Sequence, residues 1–223
     1  MAKTKIGLIR VVSFKDRKIA ELHGRLIEQH YPILQVISRC IKDQPKGICN
    51  DETEALAIPK IVELGLEFEK EGEVKAIIIS CAADPGVKEL RKKLSIPVIG
   101  AGSAVAALAL TYSDKVGTLG ITEETPQIMK EILGRHLVAE AKPDGVQTTL
   151  DLMNEQGKNR VLSCVKSIKE NGAKVIALAC TGYSTIAIAP ELEKRVGLPV
   201  LDAVLAAGLA AWYFTKQDYA PNQ

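Results

Sequence analysis

Several kinds of residue that would point to common functions are scarce in this chain. No apolar run reaches the roughly 18 residues that would suggest a membrane span. Charge of one sign is also missing: the 223 residues carry a net charge of only +2, with acidic and basic side chains interspersed. A nucleic-acid partner, which usually shows as a basic face or stripe, is therefore not expected. The only histidines are His23, His30 and His136, and they complete no recognisable zinc spacing. No C-x-x-C occurs among Cys40, Cys49, Cys81, Cys164 and Cys180. An odd, widely spaced set of cysteines argues against a disulfide framework. The basic-then-apolar opening MAKTKIGLIRVVSF lacks a small-residue cleavage pattern and reads as a first strand rather than a signal peptide. A cytoplasmic protein with no metal is expected.

What is present is alternation. The β-branched runs KIGLIRVV, ILQVIS, VKAIIIS, PVIG, VGTLGI, KVIALA and PVLD read as strands. Amphipathic segments near 15–29, 53–70, 87–94, 103–112, 124–134, 158–171, 186–196 and 203–214 read as helices. Strands rich in Ile and Val with helices between them imply an α/β protein with mostly parallel sheet covered on both faces.

The two halves also resemble each other. VKAIIIS-Cys81 leads to KELRKKL and IPVIGAGSAVAALAL, while AKVIALA-Cys180 leads to PELEKRV and LPVLDAVLAAGLAAW. KIGLIRVVS near residue 5 pairs with KVGTLGITE near residue 115. Strand–helix units repeat in any α/β protein, but here a cysteine follows the equivalent strand in both copies. The expectation is two similar α/β lobes related by a pseudo-twofold axis. Residues 1–102 plus 204–223 form the first and 103–203 the second, with a site between them.

Strand ends at the carboxyl edge of a parallel sheet are where ligands collect. If the lobes face one another, Cys81 and Cys180 enter one cleft from opposite sides. Inverting a stereocentre needs a proton removed from one face and another delivered to the opposite face. A thiolate and a thiol suit this if the surroundings lower the thiol pKa from about 8.5. Contacts of roughly 3–3.5 Å to the reacting carbon would set the sulfurs ~6–7 Å apart. Helix N-termini after each cysteine are expected to favour the thiolate and to offer N–H groups to substrate. Ala82, Thr181 and Gly182 are the candidate contacts next to the thiols. Asp84 and Pro85 are read as shaping the turn and capping the helix that follows.

These residues resemble the Asp/Glu/hydantoin racemase superfamily, and most of all its hydantoin racemase branch. The resemblance rests on Cys81-Ala-Ala-Asp84-Pro85-Gly86, then LRKKLSIPVIGAGSAVAALAL, and on LACTGYS with LPVLDAVLAA, and it covers nearly the whole chain. It implies a two-lobed α/β racemase with one acid/base cysteine from each lobe, Cys81 and Cys180. It also implies no cofactor, neither metal nor pyridoxal phosphate, and a homo-oligomer acting on a small molecule. Hydantoin racemases follow the first strand with an Asn-Pro-Asn-like segment, where this chain reads Ile9-Arg10-Val11-Val12-Ser13. Arg10 offers a cationic fork suited to a carboxylate, or a surface ion pair at a strand end. Hydantoins, acidic amino acids and other carboxylates thus remain open as substrates. Ser13 and Thr122, at equivalent ends of the two opening strands, are candidate donors to substrate; either could instead cap the next helix, Thr122 above all.

The segment IKDQPKGICND, residues 41–51, is a candidate lid. Cys49 is read as an ordinary loop thiol and Cys164 as helix core. His23 and His30, seven residues apart, are read as surface or interface packing. Trp212 and Tyr213 are read as anchors of the last helix. On the same scaffold a decarboxylase or a cis–trans isomerase is conceivable, as is a noncatalytic binding protein. A cysteine hydrolase is disfavoured because no histidine is expected beside either cysteine.

Overall fold

The computed structural model describes residues 3–216. In the first lobe the strands are β1 (Thr4–Arg10), β2 (Leu34–Cys40), β3 (Ile77–Ser80) and β4 (Val98–Gly100). Their helices are α1 (Arg17–His30), α2 (Asp51–Glu71), α3 (Val87–Arg91) and α4 (Ala101–Tyr112). The second lobe holds β5 (Val116–Leu119), β6 (Leu137–Ala141), β7 (Val175–Leu178) and β8 (Val200–Leu201). With them come α5 (Gln127–Leu133), α6 (Glu155–Glu170), α7 (Gly182–Thr185), α8 (Ala189–Val196) and α9 (Ala203–Lys216).

Each lobe is a four-stranded parallel sheet, ordered β2-β1-β3-β4 in one and β6-β5-β7-β8 in the other. The two orders are equivalent strand for strand, as the sequence repeat requires. Strands β3 (IIIS) and β7 (VIAL) are buried at every position, so their continuous apolar runs match a sheet covered on both faces. Strand β6, LVAEA, went unread in the sequence: it alternates buried and exposed residues as an edge strand. Two helices also differ from expectation. The helix expected at 186–196 begins only at Ala189, because Ala187 adopts a left-handed φ of 48°, and a separate single turn, α7, precedes it. The helix expected at 87–94 closes at Arg91.

Three cores hold the molecule. An outer one in the first lobe packs β1 and β3 against α2 and α3 through Ile9, Ile61, Phe68, Ile77 and Leu90. Its counterpart packs the second sheet against α6 and α8 through Val161, Val165, Ile176 and Leu192. The third is shared by both lobes. Ile6, Leu8 and Ile78 from one sheet and Val116, Val175 and Ala177 from the other meet the alanine-rich α4 and α9. Helix α4 packs on α5 and β7 as well as on its own sheet, whereas α9 packs on α1, β3 and β4. Each small-residue helix thus lies on the opposite lobe's side of the seam. Trp212 packs partly buried against this core, but Tyr213 is exposed, so only Trp212 of the expected pair anchors α9. Residues 217–223, expected with the first lobe, lie outside the described residues.

The turn after Cys81 fits tightly against α4. A Cβ on Gly102 would stand 1.9 Å from the carbonyl oxygen of Ala82, a backbone atom with little room to give. Overpacking of this kind costs about 1–3 kcal/mol. Gly102→Ala is expected to lower the unfolding free energy by that amount, read by circular dichroism as a lower urea midpoint with an unchanged m-value.

Candidate active site

The carboxyl ends of β1, β3, β5 and β7 open on a cleft of about 670 Å³ between the lobes. Cys81 and Cys180 both line it, with Arg10, Ala82, Thr122, Thr181 and Gly182. Ser13 does not. Its hydroxyl donates to the carbonyl of Ile41 at 2.7 Å and accepts from the amide of Gln44 at 2.8 Å, tying the loop after β1 to the segment that follows β2. Thr122 lines the rim, and its hydroxyl donates to the carbonyl of Glu124 at 2.7 Å. It caps no helix, because α5 begins only at Gln127.

Hydrogen bonds join the lobes beside both thiols. Thr181 Oγ1 donates to the carbonyl of Ser80 at 3.1 Å, linking the residue before Cys81 to the residue after Cys180. A second link runs through His23, which is fully buried: Nδ1 lies 2.7 Å from Ser80 Oγ and Nε2 2.9 Å from Thr185 Oγ1. His23 thus bonds the residue before Cys81 and a residue five beyond Cys180, but neither thiol. His23 and His30 do not share an environment either, since His30 is exposed, with its Nδ1 3.0 Å from the carbonyl of Leu26. The available signal was the buried stripe of α1, where His23 and Gly24 stand one turn before Ile27. Both ring nitrogens of His23 are engaged by hydroxyls. Burial, then the Arg10 guanidinium, hold its pKa well below the ordinary value, so the ring is neutral.

Arg10 is neither a free fork nor a surface ion pair. It is 3% exposed and donates to the carbonyls of Ile19 and Ala20 at 3.1 and 3.2 Å, with its guanidinium 5.0 Å from the Phe14 ring centre. Desolvation lowers its pKa to about 10. It remains cationic at neutral pH and projects its charge towards Cys180. Asp84 also acts elsewhere than expected. Its carboxylate accepts from the amides of Gly102 and Ser103 at 2.7 and 2.9 Å, capping α4, while α3 has Gly86 at its N-cap and no side-chain cap. The second lobe places an acid at the equivalent helix start. Asp202 accepts from Val204 and Leu205 at the start of α9, and from Ser184 in the turn after Cys180.

Burial dominates the thiols. Cys180 is pushed up to about 12 by desolvation, against the opposing pull of the Gly182 and Tyr183 amides and of Arg10. The Gly182 N–H donates to its sulfur at 3.3 Å. Cys81 rises further; desolvation leads, one backbone bond from Ala83 opposes it, and the negative charges of Cys180, Asp84 and Glu54 add to the rise. The expected lowering by helix N-termini does not occur. Helix α7 is a single turn and α3 starts six residues after Cys81, so neither offers dipole enough to offset desolvation. In the cleft lining, Thr149 Oγ1 is buried without a partner among the described residues. Gly182 lets this segment pack close, since a Cβ there would meet Thr149 Cγ2 at 2.9 Å. The expected lid contributes Gly47, Ile48, Cys49, Asn50 and Asp51 to the wall.

With this geometry in view, a family model described as Asp/Glu/hydantoin racemase matches residues 12–211. The chain belongs to the Asp/Glu/hydantoin racemase family. As a racemase it is an isomerase. A hydantoin racemase of Rhizobium meliloti is 28% identical over 187 residues, 81% of this chain and 76% of that one. A hydantoin racemase of Pseudomonas sp. (strain NS671) is 26% identical over 185 residues, 77% and 70% of the two chains. Among solved structures, an allantoin racemase from Klebsiella pneumoniae superposes with a TM-score of 0.80 at 22% identity, covering 99% of this racemase and 95% of that chain. This last likeness is one of fold.

Because the thiol pKa values are raised, the neutral thiols predominate at pH 7 and the thiolate fraction grows about tenfold per pH unit. Alkylation of Cys81 and Cys180 by iodoacetamide, followed by peptide mass spectrometry, is expected to be slower at pH 7.5 than that of a free cysteine peptide. The rate should still be climbing at pH 10.

Proposed function

We propose that this racemase inverts a carbon acid next to a carbonyl in a small neutral ring of hydantoin type, with Cys81 and Cys180 as the two proton carriers. One observation carries the reading: thiols at equivalent strand ends of two lobes line one cleft. A thiolate on one wall takes the Cα proton, and the thiol on the other wall returns a proton to the opposite face. In the reverse direction the roles exchange, so the titration belongs to the pair.

The surroundings favour Cys180 as the resting thiolate. Two backbone amides and Arg10 pull its pKa down against burial, whereas Cys81 faces Asp84 and Glu54. A thiolate of raised pKa is scarce at neutral pH but a strong base once formed, which suits a weak carbon acid.

Charge favours a neutral substrate. The lining holds Asp51, Glu54, Glu123 and Glu124 against Arg10, its one cation. Two of those carboxylates have lysine partners: Glu124 meets Lys130 at 2.6 Å and Glu123 pairs with Lys142. Asp51 and Glu54 have no such partner among the described residues, and the Arg10 guanidinium is partly spent on α1 carbonyls. A free carboxylate would enter against that field, and a hydantoin or allantoin ring would not. The names of the relatives above, hydantoin and allantoin racemases, agree with this preference.

The test is NMR in D₂O with single enantiomers of ring-substituted hydantoins, allantoin, aspartate and glutamate, following loss of the Cα–H signal. Exchange is expected in a ring compound and not in the amino acids. Cys81→Ser and Cys180→Ser should each reduce racemisation by about 10²–10⁴-fold. Wild-type racemisation in either variant would defeat the two-base account. The log of kcat/KM should rise with pH above 7 with a slope near one, following the thiolate.

A further inference from the structure

Among the described residues, His23 is a fully buried titratable side chain that joins the two lobes, and the two-cysteine chemistry does not use it. Its ring nitrogens are occupied by Ser80 Oγ at 2.7 Å and Thr185 Oγ1 at 2.9 Å. Both of those residues line the cleft, one immediately before Cys81 and the other five residues after Cys180. His23 itself lies behind them. It therefore does not touch substrate, and whatever it contributes passes through the two hydroxyls.

The donor count defines that contribution. A neutral imidazole has one N–H and one bare nitrogen. If Nδ1 carries the proton, it donates to Ser80, whose own hydroxyl hydrogen is then free to point into the cleft. Thr185 must in turn donate to Nε2, which leaves it only lone pairs to offer. In the other tautomer the two residues exchange parts. In both cases the cleft meets one hydroxyl that donates and one that accepts. Two unconstrained hydroxyls could present any combination.

We propose that His23 is a positioning and specificity residue: by engaging Ser80 and Thr185 together, it presents one donor and one acceptor that read the adjacent C=O and N–H of a cyclic ureide. This rests on the ring-substrate reading above. A ring ureide offers such an edge as a neutral, planar amide, one acceptor fixed beside one donor, whereas a free amino acid offers a charged carboxylate and ammonium in its place. Sites built to hydrogen-bond a polar group reject analogues that lack it far more strongly than apolar pockets reject a missing methylene. A change of tautomer swaps the donor between the Cys81 side and the Cys180 side, so the same device serves both enantiomers.

The experiment compares the hydantoin derived from alanine with its two mono-N-methyl derivatives, by Cα–H exchange in D₂O. The proteins are the wild type, Ser80→Ala, Thr185→Val, His23→Asn and His23→Gln. The wild type is expected to discriminate against one N-methyl ring by at least about 100-fold in kcat/KM. Thr185→Val or Ser80→Ala should shrink that ratio at least tenfold. His23→Asn and His23→Gln, each preserving the reach of one ring nitrogen, should shrink it as well, even where thermal stability also falls. Equal turnover of all three rings by the wild type, or an unchanged ratio in the variants, would overturn the proposal and leave His23 a structural tie. A separate arm is ¹⁵N NMR of the histidine rings in the full-length wild-type protein. One N–H and one bare nitrogen are expected on His23 from pH 6 to 8. A doubly protonated ring would force both hydroxyls to accept and would overturn the proposal. If the wild type exchanges none of the three rings, the substrate reading has failed and this ring signature still decides the donor–acceptor pair.

Discussion

The layout of the cleft turns on a hydrogen bond between the lobes, from Thr181 Oγ1 to the carbonyl of Ser80. It contributes little to cohesion, since a typical internal hydrogen bond is worth about 1 kcal/mol net. Cohesion comes from the apolar core that both sheets share with α4 and α9. What the bond does is set position. The carbonyl belongs to the residue before Cys81 and the hydroxyl to the residue after Cys180, so the two thiols stand across one cleft. The alanines of α4 and α9 make this possible by letting the two lobes approach closely.

The same closeness imposes an electrostatic cost. Bringing two thiols into a cavity walled by apolar strand ends raises both pKa values by desolvation, and the Cys180 charge adds to the rise at Cys81. The site answers with asymmetry. Arg10 and two amides face Cys180, while carboxylates face Cys81. Arg10 can serve in this way because its hydrogen bonds go to α1 carbonyls rather than to an acid that would neutralise it.

Much of this was legible in the sequence where a residue's role is local or repeated. The duplicated strand–cysteine–helix units predicted two equivalent sheets, and the strand orders agree. The wall around Cys81 and Cys180 includes Ala82, Thr122, Thr181 and Gly182, as their places in the chain implied. The misreadings share a different cause. Asp84 was assigned to the helix next to it in sequence, but it caps one eighteen residues away because β4 returns α4 to that turn. Ser13 sits at a strand end, yet its hydroxyl is taken by the loop after β2. Strand β6 escaped because an edge strand exposed on one side carries too short and too mixed a pattern to stand out.

By itself, the sequence determined the class of the fold, its internal duplication and the two thiols at strand ends. Each of these follows from side-chain period and spacing, which are properties of the chain. Tertiary structure alone decided the electrostatics and the hydrogen-bond partners. Whether a thiol is raised or lowered depends on what excludes water around it. Whether His23 belongs to the site depends on Ser80 and Thr185, which lie 57 and 162 residues away along the chain. Contacts of that range arise only when two lobes close on each other, and no local pattern records them.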